Sequence, residues 1–135
     1  MAILLSEQRA LDTAQVVTLY KANNWSAANK PKELIGALLN SHSLISAYDG
    51  KELVGLGNAL SDGHLFVYYP HLLVLPAYHG KGIGKLIMER MQSKYKHLHM
   101  QMLTADDKSI AFYSMLGFRR AGKMEPMWIY DGADH

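Results

Sequence analysis

The run His79-Gly80-Lys81-Gly82-Ile83-Gly84-Lys85 packs three glycines and two lysines into seven residues. Before it stands Leu72-Leu73-Val74-Leu75-Pro76, an apolar run of the kind that makes a buried strand, and after it Leu86-Ile87-Met88-Glu89-Arg90-Met91 has helical character. Strand, turn and helix follow in that order. Glycine at alternate positions leaves the backbone N–H groups uncovered, and the new helix adds its unpaired first-turn N–H groups. The chemistry this suits is anion binding. A phosphate or pyrophosphate at a helix start gains roughly 0.3 to 1 kcal/mol per charge contact from the dipole. By itself a GxG run is most often a plain tight turn, so the reading needs a second motif.

Two familiar phosphate loops fail on spacing. A Walker A loop anchored on Gly84-Lys85 needs glycine at His79 and a hydroxyl at Leu86. A dinucleotide fingerprint from Gly80 needs glycine or alanine at Lys85, and one from Gly82 needs it at Ile87. The pattern that fits is R/Q-x-x-G-x-G/A, occupied by His79, Gly82 and Gly84 with a departure at His79. Downstream, Asp106, Ser109, Phe112-Tyr113 and Gly117-Phe118 follow N-x-x-A-x-x-F-Y-x-x-x-G-F, with departures at Asp106 and Ser109. On these two motifs, in this order, the chain resembles the GNAT superfamily of N-acetyltransferases, most closely from Leu44 to Phe118.

The resemblance implies an α/β GNAT fold: a central mixed β-sheet with a splayed parallel strand pair, flanked by helices. It implies acetyl-CoA as co-substrate and no metal. The residues it assigns to acetyl-CoA are Leu72, Leu73, Val74, His79, Gly80, Lys81, Gly82, Ile83, Gly84, Lys85, Asp106, Ser109 and Phe112. The acetyl carbonyl would meet the Leu72 N–H after a bulge, and Tyr113 would protonate the departing thiolate. A phenol of pKa about 10 stays protonated at neutral pH and can still donate to a thiolate of similar pKa. Without the flanking match, Tyr113 would read as a packing residue beside Ile110. His79 can offer a ring N–H to a phosphate, and Lys81 and Lys85 supply charge unless they are merely solvated.

An acceptor amine of pKa near 10.4 is neutral in only about one molecule per thousand at pH 7, so a proton acceptor would help. His71 is the first candidate, acting directly or through water, against an equal expectation of a hydrogen-bonded core or surface histidine; Tyr68, His64 and Asp62 rank lower. Tyr20, Trp25 and Tyr68 either line an apolar acceptor pocket or belong to the core. The stretch Leu19 to Trp25, with Val54-Gly55-Leu56-Gly57 and Ser61-Asp62-Gly63, is similar to the small single-domain branch that includes plant and cyanobacterial serotonin N-acetyltransferases. The resemblance therefore implies transfer to a small-molecule amine by direct attack in a ternary complex. Acetylation of a peptide or protein, and a non-catalytic acyl-CoA-binding module, are the alternatives. A homodimer is common in the family. With no cysteine in the chain, a cysteine-linked acyl-enzyme is excluded.

The elements that must hold these residues follow from periodicity. Ala2 to Leu5 reads as a strand. Asp12 or Thr13 caps a helix with Val16, Leu19 and Tyr20 on one face, and Pro31 opens a second with Leu34, Ile35, Leu38 and Leu39. Ser43 to Tyr48 and Glu52 to Leu60 form a hairpin about Asp49-Gly50. His64 to Leu75 is a longer strand that Pro70 interrupts with an edge or bulge. A helix from Gly82 to Lys94 buries Ile83, Leu86, Ile87 and Met91. A strand over His97 to Leu103, a short helix from Asp106 to Leu116 stopped by Gly117, a final hairpin of Phe118 to Ala121 with Met127 to Tyr130, and a loose tail complete the chain. His97 and His99 share a strand face without a third metal ligand, so solvent exposure is expected.

At 135 residues, 49% hydrophobic and 19% charged, one domain over 1–135 is expected. A net charge of +2 without a basic stripe argues against nucleic acid. The apolar start is too short for a signal-peptide core and no run reaches membrane-spanning length, so neither secretion nor membrane insertion is expected and a cytoplasmic protein is the default.

Overall fold

The structure is a computed structural model and describes residues 2–134. In chain order it contains β1 (Ile3–Ser6), α1 (Thr13–Ala22), a 3-10 turn (Ser26–Asn29), α2 (Pro31–Leu39), β2 (Ser43–Asp49), β3 (Glu52–Ser61), β4 (Phe66–Tyr69), β5 (Leu72–Val74), a second 3-10 turn (Pro76–Tyr78), α3 (Ile83–Lys94), β6 (Met100–Leu103) and α4 (Ile110–Met115). The sheet runs β1-β2-β3-β4-β6, with β5 also paired to β3. Every pairing is antiparallel except β4 with β6, which is parallel. This is the open mixed sheet that the motifs imply.

Two apolar layers sandwich that sheet. On one face α3 sends Ile83, Ile87, Met88 and Met91 against Ile45, Val54, Ala59 and Val67. On the other, α1 and α2 bring Val16, Leu19, Tyr20, Leu34 and Leu38 against Leu44, Leu56 and Leu73. Asp12 is the residue that caps α1, its carboxylate accepting from the N–H groups of Ala14 (2.9 Å) and Gln15 (3.3 Å). Among the described residues no helix is long and apolar enough to cross a membrane.

Glycines in β3 let α3 sit close. A Cβ on Gly57 would lie 2.8 Å from Ile87 Cγ2, whereas one on Gly36 in α2 would meet nothing within 4 Å. Gly57→Ala should therefore destabilise by about 1 to 3 kcal/mol through overpacking. Gly36→Ala should stabilise by about 0.5 to 1 kcal/mol through lower backbone entropy in the unfolded chain. Denaturant melts of the two variants decide the point, and equal midpoints would refute the close-packing argument.

Four expectations are corrected. The strand expected from His64 starts at Phe66, and the interruption expected at Pro70 divides it into β4 and β5. The strand expected from His97 starts at Met100, because the Leu98 N–H bonds back to Tyr95 and prolongs the turn that ends α3. Leu86 is exposed and Met88 takes the buried place, since the stripe follows 83, 87, 88 and 91. The final hairpin is not formed: 118–121 and 127–130 pair with nothing, and Met127 and Ile129 are exposed. The tail is nonetheless tied down. Asp134 accepts from the Ser26 N–H (2.6 Å) and hydroxyl (2.9 Å), and from the Tyr130 hydroxyl (2.9 Å).

Candidate active site

The site begins where the parallel strands part. Phe66 to Tyr69 pairs with Met100 to Leu103 in register, and the pairing stops at Pro70, which has no N–H to give a ladder. Beyond it, β5 stays with β3 but not with β6. On the β3 side, Gly57 pairs with Leu72 and Leu60 with Tyr68, so β4 and β5 carry one residue more than β3 over that interval. This is a β-bulge at Pro70 and His71. The carbonyl of His71 and the N–H of Leu75 face β3, bonding Asn58 and Val54. By the two-residue alternation of a strand, Leu73 faces β3 as well, while the N–H groups of Leu72 and Val74 turn to the side where no strand lies. Leu73 is thus a ladder and core residue, which corrects its expected contact with the coenzyme.

At the end of β5 the carbonyl of Val74 is held by two donors, Asn23 Nδ2 (3.2 Å) and His79 Nε2 (2.8 Å). A carbonyl only accepts, so His79 spends its Nε2–H on the strand and offers a phosphate at most its other ring nitrogen. Tyr78, just ahead, donates to Asp49 (2.7 Å) and Glu52 (3.1 Å), anchoring the loop to the β2–β3 hairpin. The loop then passes through positive φ at Gly80 (76°) and Gly82 (82°), and the first helical bond of α3 is Leu86 N–H to Gly82. The N–H groups of Ile83, Gly84 and Lys85 therefore have no helical acceptor. Nothing lies within 4 Å of a Cβ placed on Gly80 or Gly82. Lys81 and Lys85 are exposed beside them, while the Ile83 side chain is core and contributes only its backbone. This is an uncovered cradle of donors that a diphosphate fits.

The second motif is a helix end. Phe118 N–H bonds to the Tyr113 carbonyl and Gly117 N–H to that of Ser114, with Gly117 at φ 97°. These two bonds are a Schellman cap, and the Tyr113 and Phe118 rings, 6.0 Å apart, make its apolar contact. Phe112 lies against α3, 3.4 Å from where a Cβ of Gly84 would stand, so the two motifs touch. Asp106 accepts from the N–H groups of Lys108 (2.9 Å) and Ser109 (3.1 Å) and so fixes the turn into α4. Burial first, and then the Asp106 charge, push the Tyr113 phenol up to about 12. Burial likewise raises the phenols of Tyr20 and Tyr69. Phenols whose folded pKa exceeds the free value of about 10 stabilise the fold below that pH and cease to do so as pH rises through the folded value. The thermal midpoint should accordingly drop between about pH 10 and 12. A flat profile there would refute the buried, neutral assignment.

On the acceptor side three rings meet. Tyr20 is fully buried, so of the two places open to it, pocket wall or core, it takes the core, and its hydroxyl lies 2.7 Å from His71 Nδ1. Trp25 and His71 meet edge to face at 5.0 Å, with Tyr20 within 5.8 Å of both rings. The direction of that bond follows the imidazole tautomer, and in either tautomer Tyr20 holds and orients the His71 ring through Nδ1. Asp62 is a weak base: the backbone N–H groups of Leu65, His64 and Phe66 hold its carboxyl down at about 2. Tyr68 donates to Thr104 Oγ1 (2.9 Å) across the fork of the parting strands. His97 and His99 are exposed ahead of β6, and among the described residues no group of three or more His, Cys, Asp or Glu could hold a metal.

Asn58 and Asn23 escaped the sequence reading. The signal for Asn58 was present, as the single amide in the apolar run Leu53 to Leu60. Asn23 gave none, since an asparagine after a helix reads as an ordinary stop.

A sheet whose parallel strands part at a bulge, a donor-lined loop at the head of α3 and a capped tyrosine helix against it are the arrangement of the GNAT fold. The profile of the acetyltransferase (GNAT) domain matches residues 8–126, and the chain belongs to that family. The structure of a GNAT family acetyltransferase, SP0256 of Streptococcus pneumoniae TIGR4, superposes with a TM-score of 0.83 at 28% identity, covering 97% of this chain and all (100%) of that one. GCN5-related N-acetyltransferase 3 (chloroplastic) of Arabidopsis thaliana is 34% identical over 90 residues, 67% of this chain and 35% of its own length. N-alpha-acetyltransferase RimI of Mycobacterium tuberculosis is 30% identical over 95 residues, 67% of this chain and 60% of its own. This chain thus spans less than two thirds of these two relatives.

Proposed function

We propose that the protein is an acetyl-CoA-dependent N-acetyltransferase acting on the amine of a small molecule by direct transfer. The observation that carries this reading is the pair of N–H groups, Leu72 and Val74, turned into the gap that opens at Pro70, with the uncovered loop at its end. Acetyl-CoA would supply an activated acetyl thioester. Gly80 to Lys85 hold its diphosphate with backbone donors, and Val74 its pantetheine arm. The Leu72 N–H donates to the carbonyl oxygen as charge develops there. Tyr113 hands its proton to sulfur as the carbon–sulfur bond breaks and the carbon–nitrogen bond forms. Tyr20 orients the His71 ring through Nδ1, His71 and Trp25 shape the wall that meets the amine, and the amine's proton leaves to His71 directly or through water.

For the small-molecule choice we take the tail, whose Asp134 and Tyr130 bind Ser26 next to Trp25, as one boundary of the acceptor side. A peptide α-amine is the second reading, favoured by the likeness to RimI. Thiol release measured with a panel of small amines, polyamines and short peptides separates the two. Turnover with small amines only supports the first reading. Turnover with peptides only replaces it by the second. Silence on all, with calorimetric binding of acetyl-CoA intact, marks a non-catalytic acyl-CoA-binding module.

A further inference from the structure

We propose that Asn58 is the positioning residue of this site: its side-chain carbonyl locks the bulge at His71 and so keeps the Leu72 and Val74 N–H groups out of the ladder. In its catalytic part this rests on the acetyltransferase reading. Along a regular antiparallel pair, facing residues exchange two main-chain bonds. At Asn58 and His71 only one of them is made, Asn58 N–H to the His71 carbonyl at 3.2 Å. The returning bond, from His71 N–H, goes to Asn58 Oδ1 at 3.0 Å instead of to the main chain. The side chain stands in for a carbonyl that the extra residue has moved out of reach.

The orientation of that amide is dictated by its other end. Asn58 Nδ2 donates to Ser41 Oγ (3.0 Å), and Ser41 has committed its proton to the Ala37 carbonyl of α2 (2.9 Å). Ser41 is fixed in turn by Arg9, whose guanidinium donates to its carbonyl (2.6 Å) and to that of Leu39 (2.9 Å). Asn58 is 4% exposed, so its oxygen can point only to His71. Pro70, next along, has no N–H, and only His71 can anchor the bulge on this side.

Register is what the anchor protects. A one-residue slip of β5 along β3 would, by the period of two, turn Leu72 and Val74 inward and the His71 N–H outward, breaking its bond to Asn58 Oδ1. Apolar burial resists the slip weakly, because β5 is three residues long. The Asn58 amide, by contrast, can be satisfied only in the register observed.

Amide hydrogen exchange on the protein without ligand tests the clamp independently of any reaction. In the parent, His71 should exchange at least about tenfold more slowly than Leu72 and Val74; equal rates overturn the proposal without any variant. Asn58→Ala should lose the His71 protection, and kcat should fall roughly tenfold to a hundredfold from misplaced donors, while KM for acetyl-CoA moves less than about threefold because the glycine loop is untouched. Asn58→Asp keeps an oxygen for His71 but loses the Nδ2 donor to Ser41, so it should restore protection and kcat in part, and more at low pH, where the buried carboxyl stays protonated and can donate to Ser41. Met91→Ala, a core truncation on α3, should lower the melting point without lowering kcat. A kcat in Asn58→Ala that is unchanged, or that falls no further than in Met91→Ala, overturns the positioning role. If the parent transfers no acetyl group, the function assigned above fails, and the exchange rates still decide the clamp.

Discussion

Tyr113→Phe should lower kcat by roughly 10²- to 10⁴-fold, the range lost with a positioned general acid, while calorimetric affinity for acetyl-CoA stays within about twofold. The separation follows from what holds Tyr113. Its ring is held by Phe112 (5.0 Å) and by Phe118 across the Schellman cap, contacts a phenylalanine reproduces. The fold should therefore survive, and only a proton donor is removed. With the phenol pushed up to about 12, the acid is fully protonated through the neutral range, so kcat in the parent should show no alkaline fall attributable to Tyr113 below about pH 10. A thiolate leaving without a proton is the slow alternative. A substrate whose thiol leaving group has a low pKa should recover much of the loss. Unchanged turnover in Tyr113→Phe would take the residue out of the mechanism.

How much of this was legible beforehand depends on whether the signal was local. The loop and the Tyr113 helix are written in consecutive residues: glycines where φ is positive, a Gly-Phe pair where a Schellman cap ends α4. Pro70 announced the break because a missing N–H is a property of the residue itself. What sequence reading could not see were bonds formed between distant elements. Tyr20 shares a helix face with Val16 and Leu19 and was expected in either the core or a pocket; only the fold brings its hydroxyl to a histidine 51 positions away. His79 carried the expectation of a phosphate donor, and the return of the chain after the 3-10 turn gives that donor to Val74. The closing hairpin failed for a related reason. Its alternating residues fit a strand, but Tyr130 and Asp134 are bound at Ser26, and β-pattern without a partner makes no ladder.

Gly82→Val should have the opposite kinetic signature to Tyr113→Phe: KM for acetyl-CoA should rise about 10- to 100-fold with kcat at saturation nearly unchanged. Gly82 caps α3 at φ 82°, a region a β-branched residue enters only under strain. Open space surrounds its Cβ position, so no clash displaces α3 and the damage is confined to the loop. Relaxing φ swings the N–H groups ahead of α3 away from a common focus. Each charge-assisted bond lost is worth about 1.5 to 3 kcal/mol, which a factor of ten per 1.4 kcal/mol converts to the stated range. Gly84 makes the control, because its φ is ordinary and its Cβ would meet Phe112 at 3.4 Å, an ordinary van der Waals contact. Gly84→Ala keeps the backbone donor and should leave both KM and kcat within about threefold of the parent. Equal KM values for Gly82→Val and the parent would mean that the diphosphate is gripped elsewhere, and the donors at Leu72 and Val74 would then lose the ligand they are proposed to meet.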